Sequence, residues 1–332
     1  MDLEKEEEPQ LRTGSLKLAE EVIEPGEAAV IAAFIDFLKE VSAKRHPDGA
    51  VPRFNQGRAA GCVDAEFTVG EGLPPELRVG LFAQPRTYRA RIRFANASSR
   101  SDREKDVRGM SIKVHGVGDR TLSGEPDHDF ILNSHPVMMV GNTKTFLDLL
   151  QAVEAGGAKQ ALFFLSHPRA VAVALASRRN ATSHLEIPYW STTPYLFGPG
   201  RAVKYVAQPT PPRATPLPAP LTDDYLRERL ADQTAREESW FDFLVQFQAD
   251  VRKMPIEDAS VEWRASDSPY RAVARIRIPV QAVDTSGNTA SCERMSFNPW
   301  NALPDHRPLG DFNRARRDIY RAMAAFRLER RP

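Results

Sequence analysis

The stretch "RARRDIYRAMAAFR" (314–327), close to the end of the chain, decides how the rest of the sequence is interpreted. Its apolar spacing predicts a helix over 311–330. On a helix that advances about 100° per residue, the side chains of Arg316, Tyr320 and Arg327 fall within roughly 40° of one another. The predicted helix therefore aims a phenol and two guanidinium groups along one line.

An ordinary surface helix offers the simplest interpretation of this stretch. Ile319, Met323 and Phe326 would form the buried stripe, with the Tyr320 hydroxyl and the arginines in water. However, the arginines flank the apolar stripe, and a partly buried guanidinium group needs an anionic partner. A phenolate bound to ferric iron and the carboxylates of a porphyrin would supply such anions, and a cation one turn away favours the ionised tyrosine oxygen. The second interpretation is therefore a metal-binding face with Tyr320 as the ligand.

Composition places the chain among globular proteins and excludes several partners. Its 332 residues are 42% hydrophobic and 27% charged, with a formal net charge of +1, so no global field favours nucleic acid or an anionic membrane. Any partner must be selected locally. Cys62 and Cys292 lack a metal-binding spacing and give little support for a disulfide framework, which favours a reducing cytoplasm. The N-terminus shows no signal peptide, and no apolar run predicts a membrane span.

The pattern along the chain predicts an α+β fold in one domain. Residues 1–25 are expected to be a flexible N-terminal arm, and residues 26–330 a single domain that begins with a helix over 27–44. Helical periodicity returns over 142–180, and the chain closes with the helix described above. Short β-rich runs separated by turn residues indicate an antiparallel sheet or barrel. These runs lie at 65–69, 88–98, 108–117, 128–140, 202–207, 238–248, 260–264 and 271–280.

The terminal segment also carries a resemblance to a known family. The stretch "FNPWNALPDHRPLGDFNRARRDIYRAMAAFR" (297–327) is similar to the proximal segment of the haem-dependent catalase superfamily, in particular its small catalase-related branch with allene oxide synthase-type domains. Further similar stretches are "GCVDAEFTV" (61–69), "RIRFANAS" (91–98), "DVRGMSIKV" (106–114), "HDFILNSHPVMMV" (128–140) and "MPIEDASVEW" (254–263).

The resemblance implies both a fold and a cofactor. The expected fold is an eight-stranded antiparallel β-barrel with surrounding helices, a C-terminal haem-ligating helix and haem b inside. Tyr320 would be the proximal iron ligand, with Arg316 bonded to its oxygen. Arg327 and Arg93 would meet the haem propionates. The chain is much shorter than a large catalase, and homo-oligomerisation is plausible by the resemblance alone.

The distal side departs from the family pattern. Counting back from the 65–69 strand, the position of the catalytic histidine falls on Asn55, whose amide cannot take up a proton near neutral pH. The position of the family's distal asparagine falls on Ser134, with Asn133 beside it, and a shift of one residue would restore the asparagine. Two pocket aromatics appear as Met138 and Met139.

Three functions follow from this departure. The first is a haem-dependent oxidoreductase that acts on a peroxide, either an organic hydroperoxide or, inefficiently, hydrogen peroxide, in the manner of a peroxidase or a hydroperoxide-rearranging enzyme. The second is a non-catalytic protein that binds or stores haem. The third, a barrel that has lost haem, is disfavoured by the intact proximal residues. His135 is expected to point away from Ser134, because side chains alternate along a strand.

Overall fold

The computed structural model describes residues 16–118, 120–213, 215–283 and 286–330. Within these residues the chain forms seven α-helices and nine β-strands, and none of the helices is long and apolar enough to cross a bilayer. They follow one another as α1 (Glu27–Arg45), β1 (Arg58–Val69), β2 (Arg86–Asn96), β3 (Arg108–Val114), β4 (His128–Asn133), α2 (Thr143–Ala155), α3 (Gly157–Ser166), α4 (Pro168–Ser177), β5 (Tyr189–Trp190), β6 (Tyr195–Leu196), β7 (Ala202–Pro209), α5 (Tyr225–Arg236), β8 (Ser239–Phe247), β9 (Arg271–Ile278), α6 (Ser286–Arg294) and α7 (Asp311–Glu329).

Eight of the strands close into an antiparallel ring. The order around the ring is β1, β2, β3, β4, β5, β7, β8 and β9, and β9 pairs back with β1. Closure depends on the two-residue strand β5, in which Trp190 pairs with Asn133 of β4 and with Val206 of β7. β6 adds to β7 without joining the ring. The eight-stranded antiparallel barrel that the sequence predicts is therefore confirmed.

Aromatic side chains fill the centre of the barrel. Along β1, buried and more exposed residues alternate from Val63 to Val69, as expected for a strand with one face on a core. The rings of Phe130 and Phe67 stack at 5.9 Å between centroids, and Phe243 approaches Phe130 at 4.7 Å. The expected position of haem inside the barrel does not fit this packed interior. A large ligand would have to bind beside the barrel wall.

The terminal helix α7 packs with its apolar stripe against two other helices. Met323 is buried and Ile319 and Phe326 are half-buried, in one cluster with Phe34 of α1 and Leu147 of α2. The stripe predicted from the sequence is thus confirmed. Because these three side chains face α1 and α2, the neighbouring face of α7 remains directed at the barrel.

A buried charge cluster fastens the N-terminal segment to α7. Residues 1–15 lie outside the described part of the chain, but Glu21 and Glu27 both pair with Arg314 of α7, at 2.8 and 2.7 Å. The Arg314 guanidinium group also pairs with Glu257 at 2.9 Å, and Glu257 accepts a hydrogen bond from the Val22 amide. We call Glu21, Glu27, Glu257 and Arg314 the Arg314 cluster. It ties the described part of the expected arm, residues 16–25, to the domain.

A disulfide joins β1 to α6. Cys62 and Cys292 are bonded at a separation of 230 residues in the sequence. The spacing of two cysteines so far apart does not predict this bond, because only the folded barrel brings them together. The two cysteines lend little support to a disulfide in the sequence, whereas the structure forms one, and a cytoplasmic location stays a prediction.

Candidate functional site

The face of α7 that carries Tyr320 is directed at the loop after β5. The Arg316 guanidinium group donates to the Thr193 hydroxyl at 2.9 Å and to the Asn313 side chain at 3.2 Å. Tyr320 is half-buried, and its titratable neighbours include Tyr195, whose pKa burial raises to about 12 while the charge of Arg316 opposes the rise. Arg316 is therefore held by α7 and the loop, next to two phenols.

Three arginines meet where α7 passes the barrel wall. Arg93 of β2 is buried, and burial together with the neighbouring charge of Arg53 lowers its pKa to about 9; Arg327 of α7 acts in the same direction. Glu293 of α6 pairs with Arg53 at 2.9 Å and with Arg93 at 3.5 Å. Within the described residues, the Nε of Arg93 has no hydrogen-bond partner. Concentrating this much positive charge away from water is costly unless anions bind there.

Gln56, whose backbone is in the left-handed region at φ 56°, lies directly beside Arg93. Its side-chain Nε2 donates to Oδ1 of Asn133 at 3.2 Å, and its carbonyl accepts from Arg93 at 2.8 Å. The side chain lies so close over Gly109 of β3 that a Cβ added there would overlap the Gln56 amide. Glycine at this position thus leaves the barrel wall flat, and Gln56 covers it.

The distal residues proposed from the sequence take different positions. Asn55 is exposed, whereas its neighbour Gln56 reaches the wall of the candidate site. Asn133 joins Gln56, while the hydroxyl of Ser134 accepts a hydrogen bond from the Arg108 amide at 2.8 Å and so belongs to the end of the β3–β4 pair. The structure brings together Gln56 and Asn133 rather than Asn55 and Ser134.

An apolar wall completes the surroundings of the candidate site. Met138 and Met139 are half-buried and pack in a cluster with Phe146 of α2 and Phe312 of α7. The Phe146 ring approaches that of Phe312 at 5.7 Å and also contacts Phe34 of α1. Phe146 therefore connects this cluster to the stripe of α7.

Three of the histidines occupy the barrel core or a surface groove. His128 and His306 are buried in the barrel core, where burial lowers the pKa of His306 to about 4. His135 lines a surface groove of about 690 Å³ beside α4, and burial lowers its pKa as well. The hydrogen bonds that Gln56 forms in the described chain are with Asn133 and Arg93, not with any of these three histidines.

Arg53, Gln56 and Phe146 of this site are not identified by the sequence analysis. Arg53 and Gln56 stand three apart in "RFNQ" (53–56), in the segment that precedes the first barrel strand. A cation and a polar side chain three residues apart could have indicated site residues. The loop conformation, which the sequence does not reveal, decides which side chain turns inwards. Phe146 gave no signal beyond helical periodicity.

The comparisons with known proteins agree on the fold. No family model and no curated protein matches the chain. Among solved structures, a fungal catalase is similar with a TM-score of 0.69 at 16% identity, over 88% of this chain and 62% of the catalase. A bacterial catalase gives 0.70 at 16% identity, over 88% and 60% of the two chains. Catalase A from Saccharomyces cerevisiae gives 0.69 at 14% identity, over 95% and 68%.

These similarities establish a catalase-like fold for the chain. The chain spans about three fifths of the length of the fungal and bacterial catalases that it matches. The structural agreement extends over 88% to 95% of the chain.

The residues of the site fit a haem group chemically. Tyrosine is one of the axial ligands that proteins use for haem iron, and guanidinium groups bind carboxylates in a planar fork. The Nε of the buried Arg93, which has no partner within the described chain, leaves room for one more acceptor such as a carboxylate oxygen. Arg93, Arg53 and Arg327 would therefore hold the haem carboxylates, and Tyr320 the iron.

Proposed function

We propose that this chain binds haem b at the site between α7 and the barrel wall and reacts there with a peroxide. The observation that carries the proposal is the buried Arg93, which lies with Arg53 and with Arg327 of α7, the helix that also carries Tyr320. Bound haem would supply redox chemistry at iron, and tyrosinate ligation favours the oxidised states that peroxide chemistry needs. The similarity to catalases supports this proposal at the level of the fold, and the residues of the site carry the rest of the argument.

Each residue has a distinct task in this proposal. Arg316 is held by Thr193 and Asn313 beside Tyr320, where its charge would favour the ionised phenol oxygen. The Glu293 carboxylate pairs with Arg53 and Arg93, so it would share or yield these guanidinium groups when the haem carboxylates bind. The Glu293 carboxylate would thus compete with the haem carboxylates for Arg53 and Arg93.

The two amides beside Arg93 favour an organic hydroperoxide as substrate. Gln56 and Asn133 present amides, which donate and accept hydrogen bonds but do not exchange protons near neutral pH. They would orient a peroxide without shuttling its proton, and a general acid or base typically contributes about 10²–10⁴-fold. We therefore expect slow breakdown of hydrogen peroxide, and faster conversion of a lipid hydroperoxide whose rearrangement needs less proton transfer.

A haem-binding protein without turnover is the second candidate. The hydrogen bond between Gln56 and Asn133 favours it, because both amides are already engaged with one another. Inertness of the haem-loaded protein towards hydrogen peroxide and towards lipid hydroperoxides would select this alternative.

Hemin titration tests the binding part of the proposal. The wild-type chain should develop a Soret band at one hemin per chain, and Tyr320→Phe should shift and weaken it. Tyr270→Phe, which changes a tyrosine of the loop before β9, is the matched control and should leave the band unaltered. Equal spectra for wild type and Tyr320→Phe would refute Tyr320 as the ligand.

A pair of histidine variants tests the distal wall. Gln56→His should raise oxygen release from hydrogen peroxide by about 10²-fold, because it restores a proton-exchanging group. The exposed Asn55→His is the matched control and should change little. The opposite result would move the distal position to Asn55, as the sequence alone predicted.

A further inference from the structure

Two consecutive helices present large aliphatic side chains to the outside. On α3, Leu162 and Leu165 are 68% and 79% exposed, and on α4, Leu175 is 77% exposed. Leu162 and Leu165 stand three residues apart and therefore share one face of α3. Single exposed leucines are ordinary, but three of this exposure on adjoining helices form an apolar surface that needs an explanation.

The inner sides of the same helices are fixed to the domain. Phe163 of α3 and Ala170 of α4 are buried in the cluster that includes Val140 and Phe312. Because Phe163 points inwards, a rotation of α3 that hides Leu162 and Leu165 would expose that ring instead. The outward position of the leucines thus follows from the packing.

The surface around these leucines is basic. The segment from 155 to 185 contains no aspartate or glutamate, and the preceding acid, Glu154, is paired with Arg45. The segment carries four exposed cations, and no carboxylate of the described chain lies within 4 Å of any of them. They are Lys159, Arg169, Arg178 and Arg179. Arg169 donates to the Ser260 carbonyl and lines the groove that also contains Glu262 and Asp267. Lys159, Arg178 and Arg179, together with Leu162, Leu165 and Leu175, define what we call the α3–α4 face.

We propose that the α3–α4 face binds an anionic lipid surface. Exposed aliphatic side chains bordered by lysine and arginine are the combination by which amphipathic helices lie at a membrane interface. The whole chain has a net charge of only +1, so the attraction would come from this face alone and would orient the molecule. The expected partner is the head-group region of a bilayer that contains phosphatidylglycerol or a similar acidic lipid.

Charge argues against a second copy of the chain as the occupant. In a two-fold symmetric dimer the same patch meets itself, so the three cations of one chain would face the three of the other. With no acidic residue in the segment, nothing on the face offsets this repulsion. An acidic lipid surface supplies both the counter-charge and the apolar environment.

Vesicle binding tests the proposal independently of haem. The full chain is sedimented with phosphatidylcholine vesicles that contain or lack phosphatidylglycerol, and its mass in solution is measured without lipid. Wild type should bind only the acidic vesicles. R178S/R179S should reduce the partition coefficient by about tenfold or more, because each basic residue near such a surface adds to the attraction. L165S/L175S should reduce it by at least about tenfold through lost apolar burial.

Matched controls separate this face from general effects. V280S removes another exposed aliphatic side chain, and R213S/R236S removes two exposed arginines that are paired with Glu237 and Asp232. Both controls should bind like wild type. Absence of wild-type binding, equal binding to neutral vesicles, or a wild-type dimer that L165S/L175S dissociates would each overturn the proposal.

Discussion

Removal of the Arg314 guanidinium group tests directly how much the Arg314 cluster contributes to the free energy of unfolding. Arg314 is 11% exposed and donates hydrogen bonds of 2.7 to 3.1 Å to carboxylate oxygens of three glutamates. Arg314→Met keeps the aliphatic stem but leaves Glu21, Glu27 and Glu257 facing one another. Breaking a buried ion pair on one side costs about 3–5 kcal/mol, and we expect a loss of that size in the free energy of unfolding near neutral pH.

The loss should depend on pH in a defined direction. Burial raises the pKa of Glu257, and Arg314 opposes that rise, so Arg314→Met should raise the pKa further. A carboxyl group whose folded-state pKa is raised contributes stability that is present at low pH and is lost as pH rises through that pKa. The deficit of Arg314→Met should therefore shrink as the pH is lowered to about 5, where the glutamates begin to share protons.

Urea denaturation at both pH values measures this effect. Arg317→Met is the matched control on the same helix, because Arg317 is half exposed and, within the described chain, forms its ion pair with its neighbour Asp318. The control should lose less than about 1 kcal/mol. A deficit below about 1 kcal/mol for Arg314→Met, or one that is equal at both pH values, would refute the electrostatic account of the Arg314 cluster.

Three further predictions concern stability. Cys62→Ser, or reduction of the bond to Cys292, opens a loop of 230 residues and should lower the free energy of unfolding by up to about 5 kcal/mol in the loop-entropy account; equal urea midpoints with and without reductant would contradict it. Gly310→Ala should cost at least about 2 kcal/mol by thermal denaturation, because its φ is 85° and the new Cβ would overlap the Ile256 carbonyl oxygen. Burial lowers the pKa of Lys204 to about 7, so wild-type stability should rise between pH 7 and the usual lysine value of 10.5, and Lys204→Met should flatten that rise in a pH series of urea melts.

The sequence predicted those elements whose side-chain pattern repeats over many residues. The long strands of the barrel and the helix α7 were recognised because burial on one face imposes a period of two or of 3.6 residues. Strand β5 was missed because two residues cannot show a period. The strand predicted at 260–264 is wrong: this segment is a loop, and its Trp263 carbonyl accepts a hydrogen bond from the Gln246 side chain at 2.9 Å instead of joining a strand ladder.

The candidate site was predicted in part for a similar reason. Arg316, Tyr320 and Arg327 share a regular helix, so their common direction could be worked out from helical geometry. Gln56 lies in an irregular loop with a positive φ. Because such a loop has no periodic pattern, the sequence does not indicate whether the side chain of Asn55 or that of Gln56 turns inwards. The partners of Arg93 come from segments far apart in the sequence, and only the closed barrel brings them together.

Because strand β5 has only two residues, the backbone pairing around the ring is uneven. Strands β2 and β3 are held together by a ladder that runs from Ala90 to Asn96, whereas β4 is joined to β5 through the single pair Asn133 and Trp190. Backbone amides along this joint should exchange with solvent earlier than those of β1 and β2. Because Asn133 also contacts Gln56, the joint of the ring with the fewest backbone pairs lies at the candidate site, and opening of this joint would release the Gln56–Asn133 hydrogen bond.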